Sequence, residues 1–402
     1  MSSANPRPTP YPPHWPYNLK IILEEGVSPS LGPIYSLSPV ELATLHKFIN
    51  EHLKSSFIHP MSSPYGALIL FIKKKIGQLW LCIDFCGLNQ IRKKDHYLLL
   101  FITDLLDTPW KAHMYTKTDL QHTYHLICIA EGDKSNTAFW THYESYEWCV
   151  IPFGPTNAPV AFQHFMNNIF ADLLDVCIMI YLGDILIYSN SMSNHTLHVW
   201  EVLWCLQNNR LYASTEKCKF HTTSVEYLGF ILSPDGLTMD PTKIQVIQDW
   251  PKACKVWDIQ SFLGFANFHQ WFIYNYSDIV IPLTHLTQKG TPWLFSNDCW
   301  NAFNAIKKAF TCTLVITHWV LDVQITVKTD ASDYTVANVL SIIISDREIH
   351  PVAFYSQTLT TSKLNYDTHD RSSLPFMSHS GLGDTILRAP QLQLMLLLIT
   401  KT

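Results

Sequence analysis

Two acidic residues stand where a carboxylate is hard to accommodate. Asp184 follows Gly183 at a tight turn between the apolar β-type runs 178–181 and 185–188, and Asp119 lies at the end of the β-type run 114–120. A charge at the tip of an otherwise buried hairpin is strongly disfavoured unless it is paired or holds a cation. Carboxylate oxygens are hard ligands of the kind Mg²⁺ prefers, so this pair reads as a metal-binding candidate. A third acid, Asp330, ends the β-type run 324–329.

The elements that must position these acids are legible from periodicity. A strand over 114–120, a helix with apolar spacing over 158–174 and a hairpin over 176–188 would bring Asp119 beside Asp184 at one sheet edge. Upstream, Ser38-Pro39-Val40-Glu41 reads as a capping box with Pro at the first helical position. Leu42, Leu45, Phe48, Ile49 and Leu53 then give a stripe that predicts a helix over 39–54. The runs 67–73 and 78–84, parted by Lys74-Lys75-Ile76-Gly77, predict a hairpin. Asp240-Pro241 opens another helix, and further helices are expected over 256–268 and 297–310. The strand into Asp330 is followed by another over 351–356.

Several short blocks accompany this pattern, and their order matters more than any one of them. They are Gly32-Pro33-Ile34-Tyr35-Ser36-Leu37-Ser38-Pro39, Ile83-Asp84-Phe85-Cys86-Gly87-Leu88-Asn89, Lys117-Thr118-Asp119-Leu120, Pro152-Phe153-Gly154-Pro155-Thr156-Asn157-Ala158-Pro159, Tyr227-Leu228-Gly229-Phe230, Ser261-Phe262-Leu263-Gly264-Phe265-Ala266-Asn267-Phe268 and Thr329-Asp330-Ala331-Ser332. In this order and spacing the chain resembles the polymerase of gypsy-like long-terminal-repeat retrotransposons, from about residue 10 to about residue 371. Tyr181-Leu182-Gly183-Asp184 resembles the Tyr-x-Asp-Asp hairpin of reverse transcriptases, with Gly183 in place of the first Asp.

The resemblance implies an α+β, right-hand polymerase of fingers, palm and thumb or connection, followed by a truncated ribonuclease-H-like domain. It implies a Pro-rich lead-in over 1–35, fingers and palm over 36–235, thumb and connection helices over 236–295, a partial ribonuclease-H-like domain over 296–371 and an unmatched tail over 372–402. It also implies RNA-directed DNA polymerisation with two Mg²⁺ ions roughly 3.5–4 Å apart. The partners would be an RNA template with a DNA primer, and deoxynucleotides. The metal positions map to Asp119, Gly183 and Asp184, so one of the three ligands is missing.

By the same resemblance Tyr124 would press against the sugar, Phe153, Gly154 and Gln163 would form a template and nucleotide platform, and Tyr227 and Gly229 would belong to a primer-gripping hairpin. Lys73 and Lys217 would face phosphates. Each has a plainer reading as core aromatic, turn glycine or solvated lysine. Trp80 stands where an Arg would grip the triphosphate, and an indole offers no charged fork. For the ribonuclease H site Asp330 matches the first acid, but Ser372 stands where the next, a Glu, is expected.

Composition adds a conflict. The chain has 402 residues, 47% hydrophobic and 15% charged, enough for at least two cores. Its net charge is −5, whereas a protein that tracks phosphate backbones should be basic. Only 6 of its 28 basic residues are Arg, beside 13 Trp, 19 His and 10 Cys. Trp80, Cys86, Gln121, Cys128, Trp200, Cys205, Gln270 and Trp271 occupy positions where the family resemblance leads one to expect Arg. Trp, Cys, Gln and His are single-transition products of CGN codons, which points to a frame decaying by methyl-CpG deamination. Restoring those eight would raise the charge from −5 to +3.

The cysteines lack zinc-finger spacing and read as reduced thiols. Neither a signal peptide nor a membrane-length apolar stretch is evident, so an intracellular protein, cytoplasmic or nuclear, is expected. The expected function is a retrotransposon-derived reverse-transcriptase-like protein that is catalytically defective. A non-catalytic nucleic-acid-binding remnant, or residual polymerase or ribonuclease H activity, stays open as an alternative.

Overall fold

The computed structural model describes residues 12, 17–29, 36–73, 79–95, 97, 102–109, 111–121, 123–311, 316–318, 323–331, 335–343 and 349–359. Helices and antiparallel sheets are mixed throughout. By backbone proximity the chain forms two compact units. One takes 1–99, 117–187 and 196–219; the other takes 100–116, 188–195 and 220–402.

In the first unit the helix Pro39–Lys54 begins as its sequence dictates. The Ser38 N–H and hydroxyl both donate to the Glu41 carboxylate, at 2.8 and 2.7 Å, and Leu45 and Ile49 are buried on its inner face. Leu68–Lys73 and Leu79–Asp84 pair as an antiparallel hairpin, Ile72 opposite Trp80. The helix Ala158–Ile169 sends Phe162, Phe165 and Met166 into a core shared with Ile178, Ile180, Ile185 and Ile187. It stops at Ile169, short of the expected 174, because the chain must reverse. Phe170 is buried at the C-cap and tight turns carry the backbone to a bridge between Leu174 and Ile178.

A four-stranded sheet positions the acids. Its order is Ile178–Tyr181, Asp184–Ser189, Met114–Asp119, Lys219–Thr222, so the Asp119 strand lies next to the strand that Asp184 opens.

In the second unit Val225–Tyr227, Phe230–Ser233 and Gly236–Met239 form an antiparallel meander. Its first turn, Leu228-Gly229, has positive φ at both residues (53° and 87°), the geometry of a tight two-residue hairpin. Helices Pro241–Gln248, Val256–Phe268, Tyr276–Leu286 and Asn297–Thr311 follow. Asp240 caps the first of these, its carboxylate accepting from the Thr242 N–H at 2.8 Å. A further antiparallel sheet joins Gln324–Ala331, Thr335–Ile343 and Ile349–Thr358 in chain order. Among the described residues no helix is long and apolar enough to cross a membrane.

Candidate active site

The turn carrying Asp184 is fixed from two directions. Tyr181 pairs with Asp184, leaving Leu182-Gly183 as a two-residue loop in which Leu182 has φ +55°. That conformation is unfavourable for a branched side chain, and Gln163 compensates from the neighbouring helix. Its amide oxygen accepts the Leu182 N–H at 2.7 Å, and its amide nitrogen donates to the Ile180 carbonyl at 3.0 Å. On the other side the Leu120 N–H donates to the Gly183 carbonyl at 3.0 Å, which ties the end of the Asp119 strand to the turn.

Both carboxylates carry lysine partners. Lys117 Nζ lies 3.5 Å from Asp184 Oδ1, and Lys217 Nζ lies 3.1 Å from Asp119 Oδ1. Lys117 is two residues before Asp119 on the same strand, so the alternation of a β-strand puts both on one face. The two carboxylates are similarly exposed, 28% for Asp184 and 26% for Asp119. Burial holds the Asp184 carboxyl above the ordinary range, Lys117 opposes that shift, and the negative charge of Asp119 reinforces it. The contribution of Asp119 to that shift puts it in the electrostatic neighbourhood of Asp184.

The donor set suits a single hard divalent cation: two carboxylates at one end of the two central strands, not at the expected sheet edge, and no third at 183. Among the described residues no group of three or more His, Cys, Asp or Glu side chains is arranged to hold a metal ion.

Tyr124 is half-buried, its ring edge-on to Phe153 and Phe162 at 5.2 and 5.8 Å. Phe153 remains 52% exposed. Gly154, at φ +114°, runs so close to Phe85 that a Cβ would meet the ring at 3.1 Å. Gln163 is turned inward and buried, serving the hairpin, and Tyr227 is fully buried in its meander. Gly229 sits in the positive-φ turn after Tyr227. Lys73 ends its strand exposed, and Lys217 is 65% exposed despite its ion pair. The backbone of Asp330 lies opposite Ala337, and its side chain is outside the description. Lys74, Lys75, Ser372 and the tail 372–402 lie outside the described residues.

Two participants escaped the sequence reading as site residues. Lys117 was detectable from its spacing to Asp119. Thr123, whose hydroxyl approaches the turn, carried no such signal.

The family described as reverse transcriptase (RNA-dependent DNA polymerase) matches residues 72–232, and the RNase H-like domain found in reverse transcriptase matches 295–379. The chain carries a reverse transcriptase and RNase H-like region. Its relatives include the transposon Tf2-3 and Tf2-4 polyproteins of Schizosaccharomyces pombe, each 32% identical over 340 residues. Those matches take in 85% of this chain but 26% of each polyprotein, so the chain spans about a quarter of the length of these relatives.

Among solved structures, the foamy viral protease-reverse transcriptase in complex with double-stranded DNA superposes with a TM-score of 0.79 at 20% identity, covering 95% of this chain and 77% of that one. The same viral protein with an RNA/DNA hybrid gives 0.77 at 19% identity, covering 91% and 50%. The reverse transcriptase and RNase H-like region thus has the expected fold: a polymerase-like part followed by an RNase H-like domain.

Proposed function

We propose that this reverse transcriptase region descends from the RNA-directed DNA polymerase of a gypsy-like long-terminal-repeat retrotransposon that used Mg²⁺, and that the present copy is catalytically defective. The observation that carries the reading is Gly183, which leaves Asp119 and Asp184 as the carboxylates at the shared end of the two central strands. A cation held there would neutralise charge on a triphosphate and on the attacking hydroxyl. The chain's own residues would supply the rest. Asp119 and Asp184 offer oxygen ligands, Lys117 and Lys217 balance their charge, and Gln163 keeps the turn in place. Loss of one transition-state contact of this kind lowers rate by about 10²–10³.

Primer extension on an RNA template with Mg²⁺ or Mn²⁺ tests this directly. The unaltered chain should incorporate deoxynucleotides no better than its Asp119→Ala variant. Robust extension above that control would overturn the proposal.

Retained binding of nucleic-acid duplex is a second reading, favoured by the exposed Lys73 and Lys217 and the exposed ring of Phe153. Filter binding without any salt-dependent affinity for duplex would dispose of it.

A further inference from the structure

We infer that Thr123 is a second, steric block at the palm, standing where any side chain at position 183 would have to begin. A Cβ built on Gly183 would lie 2.9 Å from Thr123 Oγ1, 3.0 Å from Thr123 Cγ2 and 3.6 Å from Thr123 Cβ. Contacts this short are not met without something moving, and the backbone on both sides is held. The Gly183 carbonyl accepts from Leu120 N–H at 3.0 Å, and the Leu182 N–H is held by Gln163. Thr123 opens the short 3₁₀ turn Thr123–Leu126 three residues after Leu120, and its hydroxyl donates to the Leu120 carbonyl at 3.4 Å.

Rotation cannot clear the way. A threonine carries two heavy γ atoms on three staggered positions, and two of those positions face residue 183. Whatever the rotamer, at least one heavy atom stays in the path. A serine, with one γ oxygen, can turn it aside; an alanine or glycine leaves the space open. Gly183 is outside the positive-φ region, so its backbone would accept an L side chain, and the obstruction lies in Thr123.

The consequence is that positions 123 and 183 are coupled. Restoring Asp at 183 alone would crowd the turn and misdirect the new carboxylate. This rests on reading the palm as an ancestral two-cation site, and the test separates the two ideas.

The steric part is read by a double-mutant cycle on the full chain, using Gly183→Ala, Thr123→Ala and the pair. Gly183→Ala should lower the melting temperature by about 2–4 °C in the parent, as overpacking does, and leave it unchanged in the Thr123→Ala background. Thr123→Ser should also relieve most of the fall. An equal fall on both backgrounds overturns the inference.

The cation part is read by Mn²⁺ binding, followed by electron paramagnetic resonance. Gly183→Asp with Thr123→Gly should bind Mn²⁺ about tenfold more tightly than Gly183→Asp alone. Equal affinity of these two variants would show that Thr123 does not obstruct the carboxylate. Coupling in the melting cycle with no Mn²⁺ bound by the double variant would uphold the steric block and overturn the two-cation reading.

Discussion

Asp184 is held above the ordinary carboxylate range chiefly by burial, and that shift has a sign that can be measured. The unfolded chain keeps the ordinary carboxylate pKa, so the folded state is the one that takes up the proton more readily. The penalty of the buried charge is therefore present above the folded pKa and is relieved as pH falls through it. Asp184→Asn should melt higher than the parent at neutral pH without metal, and the gap should close as the solution is acidified into the carboxylate range. Saturating Mn²⁺ should reverse the order, since only the carboxylate gains from the cation. Thermal melts across pH, with and without Mn²⁺, check both; a gap that widens on acidification contradicts the assignment. The residues flanking this acid were readable from spacing and motif. Thr123 was not, because its effect arises from a turn meeting a hairpin, a contact that periodicity does not encode.

The Asp184 hairpin keeps its shape partly because a helix reaches over to it. Gln163 satisfies the Leu182 N–H and the Ile180 carbonyl at once, and also donates to Asn167 at 2.8 Å. Gln163→Leu keeps the approximate bulk but leaves those backbone groups without partners. A loss of about 1–3 kcal/mol for each buried group so stranded is expected, seen as a lower urea midpoint with an unchanged slope. An unaltered midpoint would mean that the clamp does not stabilise the turn.

Elements whose local signals agreed with their surroundings were legible beforehand: the capped helix Pro39–Lys54, the paired strands Leu68–Lys73 and Leu79–Asp84, and the helix after Asp240. Two others were hidden for physical reasons. The helix Tyr276–Leu286 contains Pro282, which ordinarily signals a break. The strand Thr335–Ile343 shows no period-two alternation, because it is paired on both sides and buries even its polar residues Thr335, Asn338 and Ser341.

Charge acts on the protein as a whole. At −5 the chain is poorly suited to a phosphate backbone, and Trp80 and Cys86, both exposed, stand where arginines are expected from the family pattern. Trp80→Arg combined with Cys86→Arg should tighten duplex binding and steepen the dependence of log affinity on log salt by about 0.9 for each new phosphate contact. Fluorescence anisotropy over a salt series measures the slope; an unchanged slope would show that neither position meets the backbone. The order of motifs made the overall architecture readable, because each block keeps its place along the chain. The grouping of residues into two units was not readable, since it depends on which distant segments pack together.

That grouping constrains how the protein can be made. The first unit draws on three separate stretches, the last of them ending at residue 219. During synthesis its core cannot close when residues 1–99 emerge, nor when the Asp184 hairpin does. Helices and hairpins of low contact order can form early, but the long-range joins must wait. Until then, the apolar strands around Ile178–Tyr181 face solvent or a chaperone, so the newborn chain is most vulnerable to aggregation before residue 219 is free of the exit tunnel.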